Sequence, residues 1–594
     1  MSLRYWVLLP ACAPAHFSWW VAGCISFVAA TTASAAEPAD FILRNAKVAT
    51  VDADFSFAQA IAVRGDKILA VGSNADIAKL AGSNTRVVDA KGRLVIPGLM
   101  DSHTHPSGAS MHEFDHEIPE IESIADVLAY IRSRAAVAPE GQWITTSQVF
   151  ITRLKEQRYP TRAELDSVAP RHPVAFQTGS DASVNSLALQ LNKIDRNFQI
   201  PAGRPGKVEK DFNGEPTGIL RTSGNYFKAG NTGARSPTEA KRTERLVALF
   251  KDYNSVGITT IADRNASLGA IEGYAKLRDA GQLTVRVSAS QGVGSLGELA
   301  KIQDNVRAVA RHRLHTERDD WVRIIGIKTY LDGGMLTGSA YMRQPWGVSK
   351  IYSIDDPAYR GVLFIPKERL LPMVRTAVES GLQFTAHSVG DGAIHALLEC
   401  YEQLAREGLP VRETRGNITH CNFMSKEAVE TAARLGVGVD IQPAWLYLDT
   451  RTLVKQFGYD RLRYFQPLRS IFAAGGLAGG GTDHMQKIGS FRSINPYNPF
   501  LGMQTAITRR AKGYDGQLHP EEALTREQAL RFYTINNAKL LFKEDRTGSL
   551  EPGKLADLAV LDTDLLTCAE DKIVATQVLR TYVGGKLVYQ RGTK

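Results

Sequence analysis

The chain has 594 residues, 44% of them hydrophobic and 22% charged, a balance that excludes a disordered polymer and calls for a sizeable core. Its formal charge of +9 is spread along the length without a Lys/Arg-rich arm, so no nucleic-acid partner is expected. The length suits a large barrel with accessory structure better than one ordinary domain.

Residues 1–36 combine Arg4, an apolar run from Trp19 to Ala30 and the small residues Ala33-Ser34-Ala35-Ala36, the pattern of a secretory signal cleaved after Ala35 or Ala36. Pro10, Pro14 and His16 interrupt the apolar stretch, so no stable membrane span is expected after cleavage. Export to a bacterial periplasm is the expected destination, with lipid anchoring at Cys24 as the alternative. Cys400, Cys421 and Cys568 then remain, too few for a disulfide framework.

Residues 37–93 read as the first part of a β-sandwich, with short apolar runs at Phe41–Asn45, Ala60–Val63 and Lys67–Gly72. Residues 546–594 read as its second part, with Leu558–Leu561, Val578–Val583 and Gly584-Gly585 opening a hairpin into Lys586–Tyr589. Neither end has enough apolar faces to stand alone, so one composite sheet domain is expected.

Between them, residues 94–545 alternate short buried-type runs with helical segments, the pattern of an α/β TIM (β/α)8 barrel. The expected strands are Leu94–Asp101, Ile258–Asp263, Val285–Ser290, Val322–Lys328, Gln383–His387, Asn417–His420, Gly438–Ile441 and Ala478–Asp483. Helices are expected over Thr238–Ser255, Ser295–His312, Pro366–Ser380, Ala393–Glu407, Lys426–Leu435 and Arg526–Phe542. The connection over about 106–255 is far too long for a barrel loop. It reads as an insertion over the mouth, with elements at Ile124–Ala136, Trp143–Val149, Val174–Gln177 and Val184–Leu191.

Chemistry concentrates where barrel strands end. In Asp101-Ser102-His103-Thr104-His105 strand alternation turns His103 and His105 to one side, half of a metal site. His387, His420 and Asp483 end three further strands, and imidazoles with a carboxylate suit Zn²⁺ or another divalent metal, one or two ions. Any single histidine here reads more safely as a core residue; the set does not.

Lys328 ends the apolar run Ile325-Gly326-Ile327. Spacing alone favours a salt-bridged lysine, since an ammonium has no lone pair for a metal. Tyr330 and Trp445 lie just beyond strands and, with His112 after the first strand, are candidate contacts for a small-molecule substrate; core packing explains the aromatics as well, and an exposed loop position is the favoured reading of His112. His116 reads as a loop residue, Asp391 as a turn residue, Cys421 as a buried apolar group, and His484 as a neighbour supporting Asp483.

Together His103, His105, Lys328, His387, His420 and Asp483 resemble the ligand set of the amidohydrolase superfamily. The stretches Lys328-Thr329-Tyr330-Leu331-Asp332-Gly333-Gly334, His387-Ser388-Val389-Gly390-Asp391 and Gly548 to Leu558 resemble its N-substituted formamide deformylase-like branch, amidohydrolase family 3. The resemblance covers nearly the whole mature chain. It implies a carboxylated Lys328 bridging two metals, with His103 and His105 on one ion and His387 and His420 on the other. It also implies that Asp483 touches the first ion and handles the proton.

The expected activity is hydrolysis of a non-peptide C–N bond by a metal-activated water. An esterase or lactonase with the same site is the alternative, and a non-catalytic exported binding protein is the second. One departure stands out: Gly179 to Leu189 lacks the histidine that the branch often carries there, so the deformylases' substrate preference does not transfer. A homo-oligomer is compatible with the sequence.

Overall fold

A computed structural model describes residues 37–592 apart from 148, 180, 203–205, 234 and 235. The expected signal, with Cys24, lies outside the described residues.

Eight parallel strands form the central sheet: β1 (Leu99–Thr104), β2 (Ile258–Ala266), β3 (Arg286–Gly292), β4 (Val322–Tyr330), β5 (Gln383–Ser388), β6 (Asn417–His420), β7 (Gly438–Ile441) and β8 (Leu477–Gly480). They pair in chain order, each with the next. Closure comes just past the last strand. His105 N–H donates to His484 O, and Asp483 N–H to His103 O, each at 2.8 Å. This is a TIM barrel with an additional β domain.

The strand expected over Leu94–Asp101 is in fact two. Leu94–Pro97 runs antiparallel to Leu558–Leu561 in a six-stranded sheet outside the barrel, and only Leu99 onward enters the barrel. Gly98 makes the turn-off possible, because a Cβ there would lie 2.2 Å from Thr259 Oγ1. The last expected strand also stops early, at Gly480, so Asp483 lies in the loop beyond it.

The helix expected over Arg526–Phe542 is two, Arg526–Phe532 and Ile535–Leu540. Thr534 leaves helical geometry between them, and Tyr533 O accepts from Met100 N–H at 2.8 Å instead of continuing the ladder. Elsewhere the caps are local. Lys426–Leu435 opens on Ser425, whose hydroxyl accepts from Ala428 N–H, and closes on Gly436 at φ 69°.

The six-stranded sheet combines both chain ends, Lys47–Ala49, Phe57–Ala58 and Leu94–Pro97 beside Leu558–Leu561, Val578–Val583 and Lys586–Gln590. A four-stranded sheet of residues 39–89 packs on it, and Phe41, Leu43, Ile61, Val95, Leu558, Val560 and Tyr582 share one apolar core. Gly584 and Gly585 take φ 53° and 71°, the two-residue hairpin turn that the Gly-Gly pair announces.

The insertion holds its own five-stranded sheet, ordered 207–210, 216–221, 181–184, 174–178 and 144–146. The element expected over Val184–Leu191 divides at Asn185, which ends the strand and caps the helix Ser186–Leu191. Phe150 of the insertion shares an apolar cluster with Met335, Val389, Phe423 and Trp445, which follow β4 to β7. The insertion therefore packs on the loops at the C-terminal ends of the strands, where barrel sites are built. No helix among the described residues is long and apolar enough to cross a membrane.

Candidate metal centre

His103 and His105 leave β1 on the same side, as strand alternation requires, and Asp483 meets them from the loop after β8. His103 Nε2 lies 3.3 Å from His105 Nε2 and 3.4 Å from Asp483 Oδ1; His105 Nε2 lies 3.1 Å from the same oxygen. Ligands about 2.0–2.2 Å from a tetrahedral Zn²⁺ are themselves about 3.3–3.6 Å apart, so these three atoms stand close to the spacing of a coordination face. Two imidazole nitrogens turned toward one another repel through their lone pairs unless a proton or cation lies between them. The donor set therefore fits a divalent metal.

Buried partners fix which nitrogen faces inward. Asp440 Oδ1 is 3.2 Å from His103 Nδ1, so that nitrogen carries the proton and Nε2 presents its lone pair. Asp440 is fully buried on β7, and its other oxygen accepts from Asn417 Nδ2 at 2.7 Å and Thr419 Oγ1 at 3.1 Å. Arg264, also fully buried, supplies countercharge 3.8 Å away. His420 Nδ1 is likewise held by Gln442 Oε1 at 2.8 Å, and Gln442 donates in turn to Asp440 Oδ1 at 2.9 Å. Asp101 clamps both flanks of the cluster, accepting from His103 N–H at 3.0 Å and Thr482 N–H at 3.1 Å.

His387 and His420 converge on the first group: ring centroids are 4.5 Å apart for His387–His420 and 5.0 Å for His103–His420. Burial, with Lys328 nearby, holds His387 down at about 3 and pushes His103 and His420 well below the usual imidazole range. All three are neutral near pH 7, the form that binds metal.

Lys328 is 1% exposed and forms no ion pair among the described residues, contrary to the salt bridge that spacing favoured. Its Nζ lies 5.1 Å from the centroid of the Tyr330 ring. Burial lowers its ammonium to about 8, against the opposing pull of Asp440 and Asp483.

The candidate substrate contacts divide. Tyr330, 42% exposed, stands 5.3 Å from the His387 ring, and Trp445 stacks on His420 at 4.7 Å with 13° between planes. Trp445 Nε1 is buried with no hydrogen-bond partner among the described residues. His112 does not join the cluster. It ends the short helix after His105, and both its ring nitrogens are buried with no hydrogen-bond partner among the described residues, contrary to an exposed loop position. It lines two cavities, one of about 690 Å³ between the insertion and the loops after β7 and β8 and one of about 370 Å³ within the insertion, neither lined by any of the six candidate ligands.

Cys421 is fully buried with its thiol on Ile418 O, as expected, whereas Asp391, expected in a turn, opens the helix Asp391–Arg406 and accepts from Arg343 N–H, and His116 is half-buried in its loop, paired with Asp115 and Tyr130. His484 is fully buried, bonded to Tyr253 and to the carbonyls of Gln486 and Lys487. Asp440, Gln442 and Asp101 were missed as positioning residues by sequence reasoning. The signal was present: a charged residue inside the apolar run Gly438–Ile441 is as anomalous as Lys328 in its own strand.

Residues 86–589 match the Amidohydrolase family. The chain is 30% identical over 563 residues to the N-substituted formamide deformylase of Arthrobacter pascens, covering 93% of this chain and 98% of that protein. It is 26% identical to Protein LONG AFTER FAR-RED 3 of Arabidopsis thaliana, covering 93% and 92%. Among solved structures, an uncharacterized metal-dependent hydrolase from Pyrococcus horikoshii superimposes with a TM-score of 0.65 at 22% identity, covering 89% of this chain and 99% of that one.

Proposed function

Because the chain belongs to the amidohydrolase family, we propose that it hydrolyses a non-peptide, amide-type C–N bond of a small molecule at the cluster of His103, His105, Lys328, His387, His420 and Asp483. The observation that carries this reading is the set of inward-facing lone pairs, with three ligand atoms 3.1 to 3.4 Å apart. Zn²⁺ suits the donors, and His387 and His420 with a Lys328 carbamate formed with CO₂ would hold a second ion. When bound, a divalent ion supplies Lewis-acid polarisation of water and carbonyl.

Asp483 is the proton carrier. Its carboxylate stands at the edge of the cluster, takes the proton of the attacking water and returns it to the leaving nitrogen. Amines leave poorly unless protonated, so this transfer matters more for amides than for esters. Trp445 Nε1, a buried donor without a partner among the described residues, is suited to hold a substrate oxygen, and Tyr330 borders the entrance. Residues 1–36 act as an export signal in this reading, and sequencing the N-terminus of the mature protein tests that.

The function is tested by assaying Zn²⁺-loaded protein on matched N-formyl or N-acyl amines, cyclic amides and esters. Turnover of an amide that stops on chelation is expected. Hydrolysis of esters and lactones alone would replace the reading with the alternative one.

A further inference from the structure

We propose that Arg153 and Asn495 are positioning residues for Asp483, so that docking of the insertion on the barrel fixes the backbone presenting that carboxylate. This rests on the reading of Asp483 given above.

Asp483 has φ 56°, a left-handed conformation that a non-glycine residue holds only where its surroundings over-determine it. Two hydrogen bonds do so. Its N–H donates to His103 O at 2.8 Å, tying it to the end of β1. Its carbonyl accepts from Asn495 Nδ2 at 2.9 Å, from farther along the loop after β8.

Asn495 is 1% exposed, and its Oδ1 accepts from Arg153 Nη1 at 3.1 Å. The two partners settle the amide orientation, since a flipped side chain would set NH₂ against the guanidinium and C=O against the Asp483 carbonyl. Arg153 belongs to the insertion. Its Nε and Nη2 reach Asp449 at 2.9 and 2.7 Å, and its Nη1 also donates to Ile494 O at 2.7 Å. Asp449 is 1% exposed and sits on the helix after β7. A two-pronged bond to a buried carboxylate holds the guanidinium in one plane, aimed at Asn495. One side chain of the insertion thus engages the elements following β7 and β8 together, and the chain of contacts ends on Asp483.

Two other bonds of the insertion lie outside that chain of contacts. Thr452 Oγ1 donates to Thr152 O at 3.0 Å and Lys512 Nζ to Glu122 at 2.6 Å, and neither leads to Asp483. Loosening the insertion and releasing Asp483 are therefore separable.

The experiment measures Zn²⁺ affinity by chelator competition, and melting without metal, for the full-length parent, Asn495→Ala, Arg153→Lys and Thr452→Val. Outer residues that orient a ligand are worth about 10- to 100-fold in metal affinity, so Asn495→Ala should weaken binding at least about 10-fold, while Thr452→Val leaves it unchanged. Arg153→Lys keeps the charge opposite Asp449 without the planar fork. It should fall between them, and it serves if Asn495→Ala does not fold. Unchanged affinity in Asn495→Ala, or in Arg153→Lys where it stands in, overturns the proposal, as does an equal loss in Thr452→Val. The expected pattern in a protein that hydrolyses no substrate would remove the hydrolase reading and leave this inference standing.

Discussion

Asp440 Oδ1 lies 3.2 Å from His103 Nδ1, and the strand that carries Asp440 contributes none of the six candidate ligands. The contact makes β7 a support for the centre. It keeps the His103 proton on the outer nitrogen, while Gln442, two residues on, does the same for His420.

Asp440→Asn should therefore lower metal affinity by about 10- to 100-fold while the protein remains folded. Chelator competition beside a thermal melt reads both quantities. Affinity equal to the parent would show that His103 needs no such partner.

Asp483→Asn keeps the shape of the side chain and removes its basicity. It should still bind metal through its amide oxygen, with affinity lowered about as in Asn495→Ala, and at saturating metal lose about 10²- to 10⁴-fold in turnover, the range associated with a positioned general base or acid. Metal content and kcat measured on one preparation decide it, and unchanged kcat would assign the proton transfer to another group.

Much of this arrangement is readable in the chain, and the exceptions have physical reasons. His103, His105, His387 and His420 are recognisable because each ends an apolar run whose alternation sets the direction of the side chain. Leu94–Met100 is misleading for the same cause: an apolar run does not reveal that its halves belong to different sheets, and only Gly98 marks the junction. Asp483 was legible as a residue but not as a conformation, since its left-handed turn depends on His103 O and Asn495. The salt bridge favoured for Lys328 fails because a lysine at the end of a strand gives no sign of which carboxylates approach it.

His484 supplies a test by pH. Burial holds its imidazole down at about 4, with Nδ1 on Tyr253 Oη and the Nε2 proton shared by two carbonyls. The unfolded chain takes up this proton near 6.5 and the folded chain does not. The contribution to stability is thus complete above pH 6.5 and fades as pH falls toward 4. The span corresponds to about 3 kcal/mol at most. His484→Gln should be less stable at pH 7 and lose less on acidification than the parent, as read by denaturant unfolding at several pH values. Parallel acid profiles would show that His484 titrates normally.

Lys328 distinguishes a carbamate from a plain amine. Parent protein prepared in ¹³C-bicarbonate should give a carbamate carbonyl resonance that is missing from Lys328→Ala, and that variant should lose most of its metal. A parent without the resonance that still binds metal fully would limit Lys328 to the role of a buried amine.

Anomalous diffraction at the zinc edge, from crystals of the Zn²⁺-loaded protein, would locate the ion itself. A peak is expected about 2.0–2.2 Å from His103 Nε2, His105 Nε2 and Asp483 Oδ1. Zinc bound elsewhere, with those three atoms bonded only to one another, would contradict it.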